Sequence, residues 1–289
     1  MGLLRVRRKE LGRVAHKSLQ LVFPRDLLSA NIMPKPTFLL TNDDGINVYF
    51  IQALAKSLIQ YGNVYVAAPA QEQSWVGRRI TRSAEVSVSR YNKIPGVTAW
   101  EINGTPSDSV NIALSYLLPE QPNVIVSGIN VGWNAMLPLL FSSGTVAGAL
   151  EGAVWGIPSV ALSMHLHEED FEAVKQDSIN PPAHIRARVD IAAKLGAEFA
   201  ASKVGTDNLN HTVFNINFPT SPKPDTPWIN TQPGQIDMGS LFAETRPGHY
   251  AFQYTEDTKK TAPSGLPSDF EVFSAGNISL SKLDFNKLG

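Results

Sequence analysis

The sequence predicts an α/β protein: a doubly wound, mainly parallel sheet with a C-terminal β-hairpin arm. Three observations lead there. Short apolar runs alternate with helical periodicity between residues 37 and 218. The connections between successive runs are roughly 8–16 residues of helical pattern, the kind of crossover that parallel strands need. Beyond residue 219, prolines at 219, 222, 224, 227, 233 and 247 break every period, and short alternating pieces such as His249 to Tyr254 take over. With 289 residues, 43% hydrophobic and 18% charged, the chain can bury one large core and carry an appendage.

Thr37 to Thr41 (TFLLT) reads as a buried strand. Ile51 to Ile59 places apolar residues at 51, 54, 55, 58 and 59, one face of a helix. Asn63 to Pro69 and Val97 to Ile102 follow as strands. Ser107-Asp108 open a helix running to about Leu117, with Pro106 just outside and Ser/Asp chemistry suited to a cap. Asn123 to Ser127 is a strand, Thr145 to Val154 a helix rich in Ala and Gly, and Ser159 to Ser163 a further strand. Arg186 to Ala201 is an amphipathic helix and His211 to Phe218 a strand. Repeated βαβ units of this kind make a Rossmann-like core over residues 36–219. Residues 220–289 then form the hairpin arm and closing segment, and a ribbon too small to be stable alone packs on the core or on a second subunit.

The formal charge of −1 is unevenly spread. Residues 1–35 hold eight basic and two acidic residues, so the rest of the chain is acidic. An acidic body argues against a nucleic-acid groove. The basic start reads as an extension outside the fold, disordered or targeting, so the expected location is cytoplasmic, or organellar if that segment is a transit peptide. No run approaches the length of a transmembrane segment. With no cysteine, disulfide scaffolds, thiol enzymes and cysteine-ligated metal sites are excluded.

In open α/β sheets ligands bind at the carboxyl ends of the strands. Asn42-Asp43-Asp44-Gly45 follows the first strand, a loop with Ser74 follows the second, and Ser127-Gly-Ile-Asn130-Val-Gly-Trp-Asn134 follows the fourth. Ser142-Ser143-Gly144-Thr145 precedes the next helix. Adjacent carboxylates repel unless a cation neutralises them, and a hard divalent ion prefers such oxygens. Ser74 and Asn130 could complete its protein ligands. Asp-Asp-Gly is also ordinary turn chemistry. Ser143-Gly144-Thr145 could offer N–H and hydroxyl donors to an anion, or simply cap a helix. Neither GxGxxG nor GxxxxGK[ST] occurs, and GxSxG and HExxH are also absent. His165-Leu-His167-Glu168-Glu169-Asp170 has an HxH spacing seen in dimetal hydrolases, but without further spaced ligands it reads as a polar loop leading into a helix.

The ordered set Asn42-Asp43-Asp44-Gly45, Gly104-Thr105-Pro106-Ser-Asp108, Val126-Ser-Gly-Ile-Asn130-Val-Gly-Trp-Asn134 and Ser143-Gly-Thr-Val-Ala147 through Glu151-Gly152 resembles the SurE family of survival proteins, the metal-dependent 5′/3′-nucleotidases. Asn215-Ile-Asn-Phe-Pro219 and Asp269 to Leu283 continue the likeness. The resemblance implies a phosphomonoesterase acting on nucleoside monophosphates, with an arm exchanged in a homodimer or homotetramer. It implies one divalent cation per subunit, Mg²⁺ or Mn²⁺, held by Asp43, Asp44, Ser74 and Asn130. It further implies Asp43 and Asp44 as catalytic residues, with Asn134, Ser143, Gly144 and Thr145 beside the phosphate. Asn47-Val-Tyr-Phe50 departs from the small residues usual after the aspartates, and Ser109 stands where the family has cysteine. Two other readings stay open: a metal-dependent nucleotide-sugar transferase, and a non-catalytic nucleotide-binding module.

Overall fold

The computed structural model describes residues 35–254, 260–261 and 265–287. The expected basic extension therefore lies outside the described residues, apart from Lys35. In chain order the main elements are β1 (Thr37–Thr41), α1 (Tyr49–Leu58), β2 (Asn63–Pro69), β3 (Val88–Tyr91), β4 (Thr98–Ile102), α2 (Pro106–Ile112), β5 (Val124–Val131), α3 (Leu137–Ser142) and α4 (Gly144–Val154). There follow β6 (Ser159–Met164), α5 (Glu168–Gln176), α6 (Ala183–Ala201), β7 (Thr212–Phe218), β8 (Trp228–Thr231), β9 (Gln235–Ile236), β10 (Phe242–Arg246), β11 (His249–Phe252), β12 (Lys260–Thr261), α7 (Asp269–Ser274) and β13 (Ile278–Asp284).

Nine strands form one sheet in the order β3-β4-β2-β1-β5-β6-β7-β13-β8. The six from β4 to β7 are mutually parallel, as the βαβ pattern predicts, while β3 and β13 run antiparallel to their neighbours β4 and β7. The order reverses between β1 and β5, and this topological switch point is where such sheets open a crevice. Alternation along β1 explains the two layers. Phe38 and Leu40 pack with Ile51, Leu54 and Leu58 of α1 and Val189 of α6, whereas Leu39 turns to Ile102, Val110 of α2 and Ile125. On that second face α4 lies close to the sheet. A Cβ at Gly148 would sit 2.9 Å from the Ser127 hydroxyl oxygen, and one at Gly152 2.5 Å from Ile125 Cδ1.

Several bounds differ from the sequence reading. The strand expected at 123–127 continues through Ser127-Gly-Ile-Asn130 to Val131. The helix expected to reach Leu117 ends at Ile112 and passes into a π turn over Ala113–Leu117. Gly104-Thr105-Pro106-Ser107-Asp108 is a helix start: Thr105 Oγ1 accepts from the Asp108 N–H at 3.1 Å, and Asp108 Oδ2 accepts from the Thr105 N–H at 2.9 Å. Asp108 also accepts from Thr81 N–H at 3.0 Å and from the Thr81 hydroxyl at 2.7 Å, which pins the long loop after β2. Within the C-terminal stretch, β10 and β11 form the expected hairpin, while β8 and β13 join the main sheet. No helix of the described residues is long and apolar enough to cross a membrane.

Candidate active site

Asp43 and Asp44 leave the end of β1 at the switch point. Asp43 is buried, 3% exposed, and its Oδ1 accepts a short hydrogen bond from the Thr145 hydroxyl. Asp44, half-buried, accepts from the Val131 N–H at 3.0 Å through Oδ2. Burial pushes the Asp43 carboxyl up from 3.8 to about 6, against the lowering effect of the Thr145 hydrogen bonds. Burial and the Asp43 charge hold Asp44 well above its ordinary value. Neither carboxylate forms a salt bridge among the described residues. Two desolvated carboxylates without a counter-ion are the environment a hard divalent cation relieves.

The neutral oxygens come from two other strand ends. Ser74 lies on the loop after β2, whose Gln73 N–H donates to the Asp43 carbonyl at 2.7 Å. Asn130 reaches the site because β5 shifts register against β6 between Ser127 and Asn130. Gly128 makes that possible: at φ +128° its missing Cβ would lie 2.2 Å from the Leu162 carbonyl oxygen. Asn130 Nδ2 donates to the Gly132 carbonyl at 2.9 Å, which commits the amide's donor end and leaves the oxygen as its ligand atom. The donor set therefore fits a cation such as Mg²⁺ or Mn²⁺: carboxylate, hydroxyl and amide oxygens with no sulfur and no imidazole. Among the described residues no group of three or more His, Cys, Asp or Glu side chains is placed to hold a metal, so a cation at the carboxylate pair would draw on neutral oxygens as well.

A cavity of about 840 Å³ opens over these groups. Asp43, Ser74, Asn130, Asn134 and Ser143 line it; Asp44, Gly144 and Thr145 do not. Ser143 caps α4, accepting from the Val146 N–H at 3.1 Å. Thr145 turns its hydroxyl to Asp43, and Gly144 packs so tightly that a Cβ there would be 2.7 Å from Asp43 Cβ. The start of α4 is thus spent largely on Asp43. Trp133, Leu166 and Phe171 also line the cavity, as do Trp75 and Tyr254. Trp75 packs against Phe252 and Tyr254 at ring-centroid distances of 5.0 and 5.5 Å, joining the hairpin to the Ser74 loop.

His165, His167 and Glu168 also line the cavity, but the run that contains them leads into α5, and Asp170 is occupied by Arg188 and His184 at 2.7 and 2.8 Å. The sequence reading passed over Glu72. Its Oε1 accepts the Ser74 hydroxyl at 2.7 Å, and its charge raises both aspartates. A third acidic residue two positions before a candidate ligand was the available signal.

A doubly wound sheet with an uncompensated carboxylate pair in the crevice at its switch point places the chain among α/β proteins with an acidic strand-end site. The particular family follows from comparison: residues 38–238 match the family described as survival protein SurE, and the chain belongs to it. It is 36% identical over 251 residues to the 5′-nucleotidase SurE of Solidesulfovibrio magneticus, covering 86% of this chain and 91% of that protein. The 5′-nucleotidase SurE of Methanococcoides burtonii is 32% identical over 252 residues, covering 86% and 93%. Among solved structures, the SurE protein from Aquifex aeolicus superposes with a TM-score of 0.64 at 26% identity, over 86% of this chain and 93% of that one.

Proposed function

We propose that this chain is a divalent-metal-dependent phosphomonoesterase that hydrolyses nucleoside 5′-monophosphates to nucleoside and phosphate, with 3′-monophosphates as the second substrate class to be tested. The observation that carries the reading is the pair Asp43, buried, and Asp44, half-buried, without a cationic partner beside a cavity large enough for a nucleotide. Its relatives' name, 5′-nucleotidase, agrees. Asp43, Asp44, Ser74 and Asn130 would hold one Mg²⁺ or Mn²⁺ per subunit. When bound, that ion neutralises charge on the phosphoryl oxygens as a Lewis acid.

The chain's own groups do the rest. Asn134 and Ser143, both on the cavity wall, hold the phosphoryl group. Asp43 is the member of the pair on that wall, and it accepts the proton of the attacking water. Thr145 and Gly144 act one step back, by fixing the Asp43 carboxylate. Trp133, Leu166 and Phe171 give the nucleoside an apolar wall, which excludes water and strengthens the polar contacts at the phosphoryl end. Residues 36–219 supply the catalytic core and 220–289 the arm and closing segment. Phe242, Tyr250 and Phe252 on the hairpin are 57%, 63% and 51% exposed, which supports a homodimer or homotetramer joined through that face. A cytoplasmic location suits a mononucleotide substrate.

A phosphate-release screen across nucleoside 5′- and 3′-monophosphates, with Mg²⁺, Mn²⁺ and chelator, tests the reading. Metal-dependent release of phosphate and free nucleoside is expected. Transfer of a sugar from a nucleotide sugar, or nucleotide binding without turnover under any metal, would replace it.

A further inference from the structure

Strand β7 is buried on both faces, yet two of its seven residues are asparagines. Phe214, Ile216 and Phe218 face the α1/α6 layer, so Val213, Asn215 and Asn217 share the opposite face, where Val213 packs beside α4. Ser163 of β6 stands in register with Asn217. All three polar residues are fully buried. Buried amides are unfavourable unless their hydrogen bonds are met, and an aliphatic pair would fill the same space. One residue of the loop after β5 meets the Asn217 amide and the donor end of Asn215, while Asn215 Oδ1 has no partner among the described residues.

The Asn134 N–H donates to Asn217 Oδ1 at 2.8 Å. The Asn134 carbonyl accepts from Asn215 Nδ2 at 2.7 Å and from Asn217 Nδ2 at 3.2 Å. The Asn134 side chain donates through Nδ2 to Ser163 Oγ at 2.9 Å, and the residue itself lies on the cavity wall. The next turn is fixed separately: Asp269 accepts from the Met136 N–H and from the Gly234 N–H, each at 3.0 Å. A loop residue whose backbone donor and acceptor are both held by side chains from one strand has little freedom left.

We propose that Asn215 and Asn217 are positioning residues for phosphoryl binding: their carboxamides grip the Asn134 backbone so that the Asn134 side chain meets the phosphoryl group in a fixed pose. The proposal rests on the functional reading above for the place of the phosphate. Alignment of a reacting group to within fractions of an ångström is worth large rate factors, and rigid strands hold it better than loops do. The clamp gives a loop residue the rigidity of a strand.

The test is a double-mutant cycle in the full-length, Mg²⁺-loaded protein, with inorganic phosphate as the probe. Asn217→Val, Asn215→Ala, Asn134→Ala and the pair Asn134→Ala/Asn217→Val are compared for phosphate affinity by calorimetry, Mg²⁺ affinity, thermal midpoint, and kcat and KM. Asn217→Val is expected to weaken phosphate binding and kcat by about 10-fold or more, with Mg²⁺ affinity unchanged within about twofold. Asn215→Ala, which removes one bond, has a smaller effect and guards against misfolding of the valine variant. In the Asn134→Ala background, Asn217→Val adds nothing further. Multiplying effects in the double variant, equal losses of Mg²⁺ and phosphate affinity, or a lowered midpoint with unchanged phosphate binding would each overturn the clamp. If the wild type releases no phosphate from any mononucleotide but the coupling in phosphate affinity persists, the nucleotidase reading fails and the clamp stands.

Discussion

Thr145 donates its hydroxyl to Asp43, so the first turn of α4 and the end of β1 meet at the carboxylate itself. The threonine is fully buried, and its hydrogen bonds oppose the rise that burial imposes on Asp43. The residue expected beside the phosphate therefore holds a candidate cation ligand. Hydrogen bonds to charged groups are worth about 1.5–3 kcal/mol, enough to govern which form Asp43 takes near neutrality.

Thr145→Val should consequently act through metal affinity. Without the hydroxyl, Asp43 binds its proton more tightly, and the cation must compete with it. At pH 6 we expect Mn²⁺ affinity about 10-fold or more below that of the wild type, with the gap narrowing by pH 8. Calorimetric Mn²⁺ titrations at the two pH values decide it. An equal loss at both would mean that the valine disturbs geometry and not proton affinity.

Asp43 also makes the metal-free protein sensitive to pH. A folded-state value near 6, raised above 3.8, means that its contribution to stability is fully present below about pH 4 and is lost as the pH rises through about 6. The loss is about 3 kcal/mol. Asp43→Asn should therefore match or exceed the metal-free wild type in thermal stability at pH 7.5, and lose that advantage below pH 4. Mg²⁺ should stabilise the wild type but not the variant. Thermal scans with and without Mg²⁺ measure both effects.

Gly144→Ala tests the close approach of α4 to the site. The added methyl would lie 2.7 Å from Asp43 Cβ and 2.8 Å from the Gln73 carbonyl oxygen, so Asp43 or the Ser74 loop must shift. A stability cost of about 1–3 kcal/mol is expected, together with a larger fall in activity than in stability. Urea unfolding beside kcat/KM separates the two.

The hairpin carries the prediction about assembly. Phe242 and Tyr250 are more than half exposed on a two-stranded ribbon, which has no second layer of its own to cover them. Sedimentation of the intact protein should give a dimer or larger species at micromolar concentration. Phe242→Ser with Tyr250→Ser should shift it toward monomer while the main sheet stays folded. A wild type that sediments as a monomer removes the assembly role and leaves the hairpin as a cover beside Trp75.

Much of this was legible in the chain because buried parallel strands write near-continuous apolar runs. Thr37–Thr41, Asn63–Pro69 and Ser159–Met164 stand out for that reason, and the two aspartates directly after the first strand follow from its end. Strand β3 did not stand out: three of its four residues are exposed, and an edge strand needs no apolar pattern. Nor did β13, whose partner β7 is about 60 residues earlier, a pairing that local periodicity does not encode. At the site, residue types were readable but directions were not. Thr145 reads as an anion donor until the packing of α4 on β1 turns its hydroxyl to Asp43. Glu72 is visible as a charge, while its bond to Ser74 depends on the fold of the loop.

Phosphorus NMR follows the hydrolysis itself in a single reaction: a purine nucleoside 5′-monophosphate with Mg²⁺ and full-length protein, beside Asp43→Asn and a chelated control. The monophosphate signal should be replaced by inorganic phosphate with the wild type alone, at a rate at least about 100-fold above either control. Equal conversion by Asp43→Asn, or undiminished conversion under chelation, would contradict it.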